Sequence, residues 1–179
     1  MSRRNYASSG RAPKPLDLQA LNALALAYLG KYATTRHKLR TYLARKLRER
    51  GWDGAEGAPL DAIIERCTEL GYVDDAAFAE MRGTALMRRG YGEQRVRATL
   101  RAAGIDSETL EPVSEAARDG ALDAALAFAR RKRIGPFARE SIDPDQRRRQ
   151  LAAMMRAGHP PDIARLVVFA EPGAILDHR

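Results

Sequence analysis

Apolar residues recur every three or four positions along most of the chain, which is the spacing that places side chains on one face of an α-helix. The helix that ends at Gly51 shows it through Leu39, Leu43 and Leu47, and residues 93–103 show it through Val96 and Leu100. Alternation of apolar and polar residues is short-lived, and β-branched residues do not cluster. The pattern therefore predicts an all-α fold.

Capping residues mark where these helices begin. Asp74 is placed to accept hydrogen bonds from the free amide groups of a following helix, and either Thr34 or Thr35 opens an earlier one. Asp143 followed by Pro144 is typical of a helix start, because proline at the first helical position has no amide hydrogen to lose. Nine helices are predicted in this way.

Helix ends recur at a regular interval. Gly51, Gly104 and Gly158 lie 53 and 54 residues apart, and each closes the middle helix of a set of three. In such a glycine ending the next residue packs back on the third-last helical position, which pairs Trp52 with Leu47, Ile105 with Leu100, His159 with Met154 and, at another helix end, Tyr72 with Cys67. A unit of about 50 residues stacks on its neighbour because it is too small to bury its own core.

The sequence therefore predicts three tandem three-helix repeats that form an elongated, curved helical array. The predicted boundaries are a disordered basic arm at 1–15, repeats at 16–73, 74–118 and 119–171, and a tail at 172–179.

Charge follows this division. The 179 residues carry a net charge of +8, and 26 of the 31 basic residues are arginine. Residues 31–50, 82–101 and 130–149 hold eight, six and eight basic residues against one, one and three acids, whereas residues 53–80 hold eight acids and one arginine. Middle helices are thus basic and third helices acidic, which predicts a basic ridge for a polyanionic partner, nucleic acid first.

The candidate contacts are the basic residues that helical spacing places away from the apolar faces, or that lie in basic runs. Guanidinium groups on a rigid helix suit phosphate, because two donors can meet two oxygens in one plane. The predicted nucleic-acid or filament contacts are Lys38, Arg45, Arg48, Arg88, Arg89, Arg95, Arg97, Arg101, Arg130, Arg131, Arg133 and Arg149. Tyr91 and Trp52 could stack on bases, but local packing explains both more simply.

Catalytic and metal-binding patterns are not found in the sequence. A single cysteine fits a reducing cytosol, and His37, His159 and His178 show no metal-ligand spacing. There is no phosphate-binding glycine loop with a following lysine and no nucleophile elbow. No apolar run reaches membrane-spanning length. We expect a cytoplasmic protein that is not an enzyme and that needs no cofactor or metal.

Residues 70–105 contain an ordered set of motifs: the run at 71–75, Phe78 and Ala79, the Gly-Tyr-Gly turn at 90–92, then Arg95, Val96, Arg97 and Leu100, and finally Gly104 and Ile105. With these motifs the stretch resembles the RecX family of bacterial recombinase regulators. It implies a monomer that binds the RecA filament and both single- and double-stranded DNA, away from membranes. It also implies inhibition of the recombinase, ATPase and coprotease activities of RecA, and so a role in DNA repair, recombination and the SOS response.

Two other classes of function remain open at this stage. A stand-alone DNA-binding protein or transcription regulator would use a helix-turn-helix pair with one base-reading helix and, usually, a dimer. A nucleic-acid enzyme would need a catalytic constellation that the sequence does not display.

Overall fold

The computed structural model describes residues 14–140 and 142–177, and within these ranges the regular structure is helical. In chain order the helices are α1 (Leu18–Leu29), α2 (Arg36–Arg50), α3 (Leu60–Glu69), α4 (Asp75–Arg88), α5 (Glu93–Ala102), α6 (Ser107–Asp119), α7 (Ala121–Lys132), α8 (Pro144–Arg156) and α9 (Pro161–Val168). A short 3-10 turn covers Gly135–Phe137. The described ranges hold one isolated β-bridge and no strand, which confirms the all-α prediction.

Side-chain caps begin five of these described helices. The carboxylate of Asp74 accepts a hydrogen bond from the Ala77 amide at 2.8 Å, as predicted. Of the two threonines considered, Thr35 is the cap of α2. Asp143 caps α8 and forms a reciprocal capping box with Gln146. The remaining two side-chain caps are Asp17 on α1 and Asp106 on α6.

Three of the four predicted glycine endings are confirmed in full. The amide that follows the glycine donates to the predicted carbonyl in the pairs Ile105 with Leu100 at 3.1 Å, His159 with Met154 at 3.2 Å and Tyr72 with Cys67 at 2.8 Å.

Gly51 ends α2 as predicted, and its amide donates to the Leu47 carbonyl at 2.7 Å. The residue that follows differs from the other endings, because the chain leaves Gly51 with ψ 171° and runs on in an extended direction. Trp52 then forms the β-bridge with Leu16, whose amide donates to the Gly51 carbonyl at 3.0 Å.

The apolar spacing of residues 60–70 predicts a helix in which Leu70 faces inward together with Ile63, Ile64 and Cys67. That prediction is wrong for Leu70, because α3 ends at Glu69 and the Leu70 side chain is 54% exposed. Most of the predicted N-terminal arm lies outside the described residues, so its disorder stays a prediction. At the end of the arm, the carbonyl of Lys14 accepts a hydrogen bond from Arg50 Nε at 3.0 Å.

Buried apolar residues form three separate clusters in the described ranges. Leu39 and Leu43 lie in the first, Val96 and Leu100 in the second and Met154 in the third. The clusters span residues 16–73, 78–113 and 122–168, so each falls inside one predicted repeat. Each of the three small cores therefore lies within one repeat, and the contacts that join neighbouring repeats are additional to these cores.

The first inter-repeat contact joins the start of α2 to the end of α5. Thr35 Oγ1 donates a buried hydrogen bond to the carbonyl of Ala103 at 2.6 Å. The chain approaches so closely here that a Cβ on Gly104 would clash with the Cβ of His37. Gly104 has φ +81°, so glycine serves both the left-handed helix end and the contact.

The second inter-repeat contact has the same form and joins the start of α5 to the end of α8. The Gly92 amide donates to the Ala157 carbonyl at 3.0 Å, and the Gln94 amide donates to the Gly158 carbonyl at 3.3 Å. Free amides at one helix start thus meet free carbonyls at the other helix end. The positive end of each helix dipole faces the negative end of the next, which favours the end-to-end series α2, α5, α8.

Candidate nucleic-acid interface

Two of the predicted basic regions meet in space at the contact between the second and third repeats. Arg89 follows α4 and Arg131 lies in the last turn of α7, 42 residues further on. Arg131 Nη1 donates a hydrogen bond to the carbonyl of Arg89 at 2.5 Å. The guanidinium carbons of both residues lie about 6 Å from the Tyr91 ring centre, at 5.9 and 6.0 Å. The Tyr91 ring is therefore within cation–π distance of both guanidinium groups.

We call this surface, with the exposed arginines beside it in the sequence, the joined basic surface. It consists of Arg88, Arg89, Arg130, Arg131 and Arg133. Arg130 lies 5.1 Å from the Phe137 ring centre, and Arg133 takes the left-handed conformation at φ 56° that ends α7. Arg89 and Arg131 thus meet at the inter-repeat contact with three further arginines next to them in the sequence, and the described residues form no ion pair with any of the five.

Other predicted contacts are exposed and have no acidic partner among the residues that the structure describes. These are Arg48 at the end of α2, Arg95 and Arg101 at either end of α5, and Arg149 in α8. Because their charges are not neutralised within the described chain, they are available to phosphate. Their role as contacts remains a prediction.

Two predicted residues of the first repeat have neighbours that reduce their freedom. Lys38 is half-buried, with its Nζ 5.0 Å from the ring centre of Phe78 in the next repeat. Arg45 is exposed but lies 5.7 Å from the Tyr42 ring centre, with its Nε 3.8 Å from a Glu49 carboxylate oxygen. The charge of Arg45 is therefore partly balanced by its own helix.

Arg97 does not lie free on the outer arc of α5, and its spacing-based placement needs correction. Its side chain is 25% exposed and pairs with Glu93 at 3.6 Å and Glu111 at 3.3 Å. Arg118 pairs with the same two carboxylates at 3.0 and 2.8 Å. The hydrogen bond from Arg118, aided by Arg97, lowers the pKa of the Glu111 carboxyl. Arg97 therefore joins α5 to α6, and a partner would have to compete with two acids for it.

The acidic third helices use part of their charge within their own repeats. Arg36 pairs with Glu65 at 2.8 Å, and Arg40 forms a two-pronged pair with Asp61, so α2 is tied to α3. Helices α5 and α6 are tied in the same way through Arg97 and Glu111. The segregation of charge in the sequence thus has a local structural use, which the sequence pattern alone did not reveal.

A buried histidine lies under the joined basic surface. His159 is 1% exposed, its Nε2 lies 3.1 Å from the carbonyl of Gly90, and the edge of its ring meets Phe128 at 5.7 Å between centres. Burial lowers the pKa of His159 from its ordinary value, with the Gly90 carbonyl acting in the opposite sense. Its Nδ1 is buried with no hydrogen-bond partner among the described residues. The neutral ring therefore helps to join the second and third repeats.

Trp52, the other aromatic residue considered for stacking, is held locally. Its Nε1 donates to the carbonyl of Glu56 at 2.6 Å.

Cys67 is buried, and burial raises the pKa of its thiol. In the part of the chain that the structure describes, no three His, Cys, Asp or Glu side chains are grouped so that they could hold a metal ion. None of the described helices combines the length and the apolar character that a membrane span requires.

Fold and surface together define an all-α protein of three-helix units whose basic residues are mostly arginine. A family model described as "RecX, second three-helix domain" matches residues 74–112. The regulatory protein RecX of Myxococcus xanthus is 30% identical over 170 residues, which cover 90% of this chain and 91% of that protein. The regulatory protein RecX of Mycolicibacterium vanbaalenii is 34% identical over 167 residues, covering 83% and 80%.

Solved structures show the same fold. The crystal structure of RecX from Lactobacillus salivarius superimposes with a TM-score of 0.60 at 18% identity, covering 84% of this chain and 93% of that one. A second crystal structure of a regulatory protein RecX gives 0.56 at 20% identity, covering 83% and 72%. The chain belongs to the RecX family of regulatory proteins.

Proposed function

We propose that this protein binds the RecA–DNA filament and lowers the recombinase, ATPase and coprotease activities of RecA, and that it thereby regulates DNA repair and the SOS response. Family membership supports a regulatory role. The observation that carries the contact with a polyanion is the set of exposed arginines with no acidic partner among the described residues, which comprises the joined basic surface and the neighbouring Arg95 and Arg101 on α5.

The end-to-end series of middle helices fits a polymeric target. Equivalent helix ends meet twice, through the Thr35 hydroxyl and the Ala103 carbonyl and through the Gly92 amide and the Ala157 carbonyl, so each repeat is joined to the next by its middle helix. Exposed arginines lie on α5 within this series and at the end of α7 beside it, and they can neutralise phosphates at more than one position. We propose a monomer that acts in the cytoplasm, contacts single- and double-stranded DNA and performs no covalent chemistry.

The helix-turn-helix alternative fits less well. A recognition helix places its N-terminal residues against base edges in the major groove. The N-terminal ends of α2 and α5 instead pack on Ala103 and Ala157 of the following repeats. Helix α8 begins with Asp143 and Asp145, and the third helices begin with acids such as Asp61, which would repel the DNA backbone.

The test is a titration of the protein into a RecA ATPase assay on single-stranded DNA. We expect the rate to fall as protein is added, and the triple charge reversal of Arg88, Arg95 and Arg101 to glutamate to weaken that effect. The matched control reverses Arg66, Arg139 and Arg165, which are exposed on other elements and change the net charge equally. An ATPase rate that the wild-type protein does not change would contradict the proposed function.

A further inference from the structure

A cavity lined by tyrosines and basic residues lies between α1 and α2. Both helices belong to the first repeat, whereas the joined basic surface belongs to the second and third repeats. Tyr28 and Tyr32 line it from the end of α1 and the following turn, and Tyr42 lines it from α2. Its volume is about 420 Å³, within the range of small-ligand pockets. The three tyrosines are spaced at four and ten residues, and only the packing of α1 on α2 brings the last to the other two.

The three tyrosine rings lie next to one another and differ in how far they are exposed to solvent. Tyr28 and Tyr42 stack at 4.3 Å between centres with 17° between their planes, and both are half-buried against the first core. Tyr32 lies 5.1 Å from Tyr28, tilted by 47°, and is 57% exposed. Tyr28 and Tyr42 are therefore held in place by packing. The exposed ring of Tyr32 lies beside them.

The charge around the cavity is positive. Lys31, Arg45 and Lys46 line it, and Glu49 is the acid that pairs with the last two, at 3.8 and 2.7 Å. Lys31 is exposed and has no acidic partner in the described ranges. Three cations balanced by one carboxylate leave a net attraction for an anion at the edge of an aromatic surface.

We infer that this cavity is a stacking site for a base of single-stranded nucleic acid, with Tyr32 as the stacking ring and Lys31 and Lys46 as phosphate contacts. Flat aromatic rings beside cations match a ligand that carries a flat ring and a phosphate close to each other. In duplex DNA the faces of the bases are already stacked, so only an unpaired base can reach the tyrosines. Specificity for sequence is not expected, because every base has a face to stack.

The inference rests on the proposed function, because that function brings the protein to DNA. It extends the proposed function by naming a site in the first repeat that recognises the bases as well as the backbone. The joined basic surface depends on phosphate alone and accepts either form of DNA. The tyrosine site instead adds affinity only where strands are unpaired.

The test measures anisotropy of a labelled oligothymidine and of an abasic strand of the same length, which has the phosphates without the bases. We expect the wild-type protein to bind oligothymidine more tightly. Tyr32→Ala should weaken oligothymidine binding by roughly tenfold and leave abasic binding unchanged, since stacking contributes roughly that factor per base. Tyr32→Phe should bind like wild type, because the ring and not the hydroxyl makes the contact.

Tyr72→Ala is the matched control, because Tyr72 is also on a turn and 56% exposed but lies outside the cavity. Tyr32 is in the turn after α1, so its replacement should leave the helical circular dichroism unchanged. Equal binding of both strands by wild type, or equal losses for Tyr32→Ala and Tyr72→Ala, would overturn the site. So would a Tyr32→Ala protein that binds both strands normally but binds DNA-free RecA less tightly, which would make the occupant a protein.

The failure of this site and of the proposed function give different results. If Tyr32→Ala binds like wild type while reversal of Arg88, Arg95 and Arg101 weakens both binding and the ATPase effect, only the stacking site fails. If Tyr32→Ala loses its preference for bases while wild-type protein leaves RecA ATPase unchanged, the stacking site stands and the proposed regulatory target is wrong.

Discussion

Gly158 lies against Arg95 so closely that a Cβ on the glycine would overlap the amide nitrogen of the arginine. Gly158 also has φ +92°, so an alanine there would meet both backbone strain and a backbone clash at the contact between α5 and α8. We expect Gly158→Ala to lower the free energy of unfolding by about 3 kcal/mol in urea denaturation.

Gly71→Ala provides the control for that substitution. Gly71 has φ +71°, but no atom lies within 4 Å of the position that an added Cβ would take, so alanine there costs only the left-handed conformation. A loss of about 1 kcal/mol is expected. Equal losses of unfolding free energy for the two alanine variants would show that the contact between Gly158 and Arg95 leaves room for a Cβ.

The buried hydroxyl of Thr35 should matter more than its methyl group. It donates to the Ala103 carbonyl at 2.6 Å and accepts from the Lys38 amide at 3.2 Å, so it both caps α2 and joins the first two repeats. Thr35→Val keeps the shape but leaves a buried carbonyl unpaired, and should cost about 2 to 4 kcal/mol in urea denaturation. Thr35→Ser keeps both hydrogen bonds and should cost about 1 kcal/mol, for the lost methyl group. A valine variant no less stable than the serine variant would contradict this role.

Local features of the fold were predictable from the sequence. The caps Asp74 and Asp143 act on amides three residues away, and the endings at Gly104 and Gly158 involve carbonyls within the same helix. Such interactions depend on residue type and short spacing, which a sequence displays directly. The extended course of the chain after Gly51 was not predictable in this way, because it depends on a bridge to Leu16, 35 residues earlier.

The surface was less predictable, for the same reason. Helical spacing placed Arg97 outside, but it could not show that α6 brings Glu111 within 3.3 Å of it. Nor could the sequence show that Arg131 would reach the Arg89 carbonyl, although each was predicted in its own basic run. The stacked rings of Tyr28 and Tyr42 were missed because they lie on different helices.

His159 should make stability depend on pH. Burial lowers its pKa in the folded protein, whereas in the unfolded chain it titrates near its ordinary value of 6.5. Below about pH 6.5 the unfolded chain therefore binds a proton that the folded protein resists, and the free energy of unfolding falls as the pH drops. We expect urea midpoints between pH 8 and pH 5 to fall more steeply for wild type than for His159→Gln. Parallel curves would mean that His159 takes up its proton without unfolding the contact.

The ion pairs of Arg97 should contribute to stability in a salt-dependent way. Arg97→Gln removes the contacts with Glu93 and Glu111, and we expect a lower unfolding temperature at low salt. The difference from wild type should narrow in 1 M NaCl, where charges are screened within about 3 Å. Arg95→Gln is the control, because Arg95 lies on the same helix with no acidic partner in the described ranges. If both glutamine variants have the same unfolding temperature at low salt, the ion pairs of Arg97 do not stabilise the fold.

The exposed arginines should set the salt dependence of DNA binding. Each phosphate contact releases counterions, so the affinity falls with salt in proportion to the number of contacts. Neutralising Arg88, Arg95 and Arg101 to glutamine removes three predicted contacts and should reduce the slope of log K against log salt by about 2 to 3. The control neutralises Arg66, Arg139 and Arg165 and should leave the slope near the wild-type value, although the net charge is the same. Because the two variants differ only in where charge is removed, equal slopes would mean that net charge alone attracts DNA, and that the arginines on α4 and α5 form no defined site.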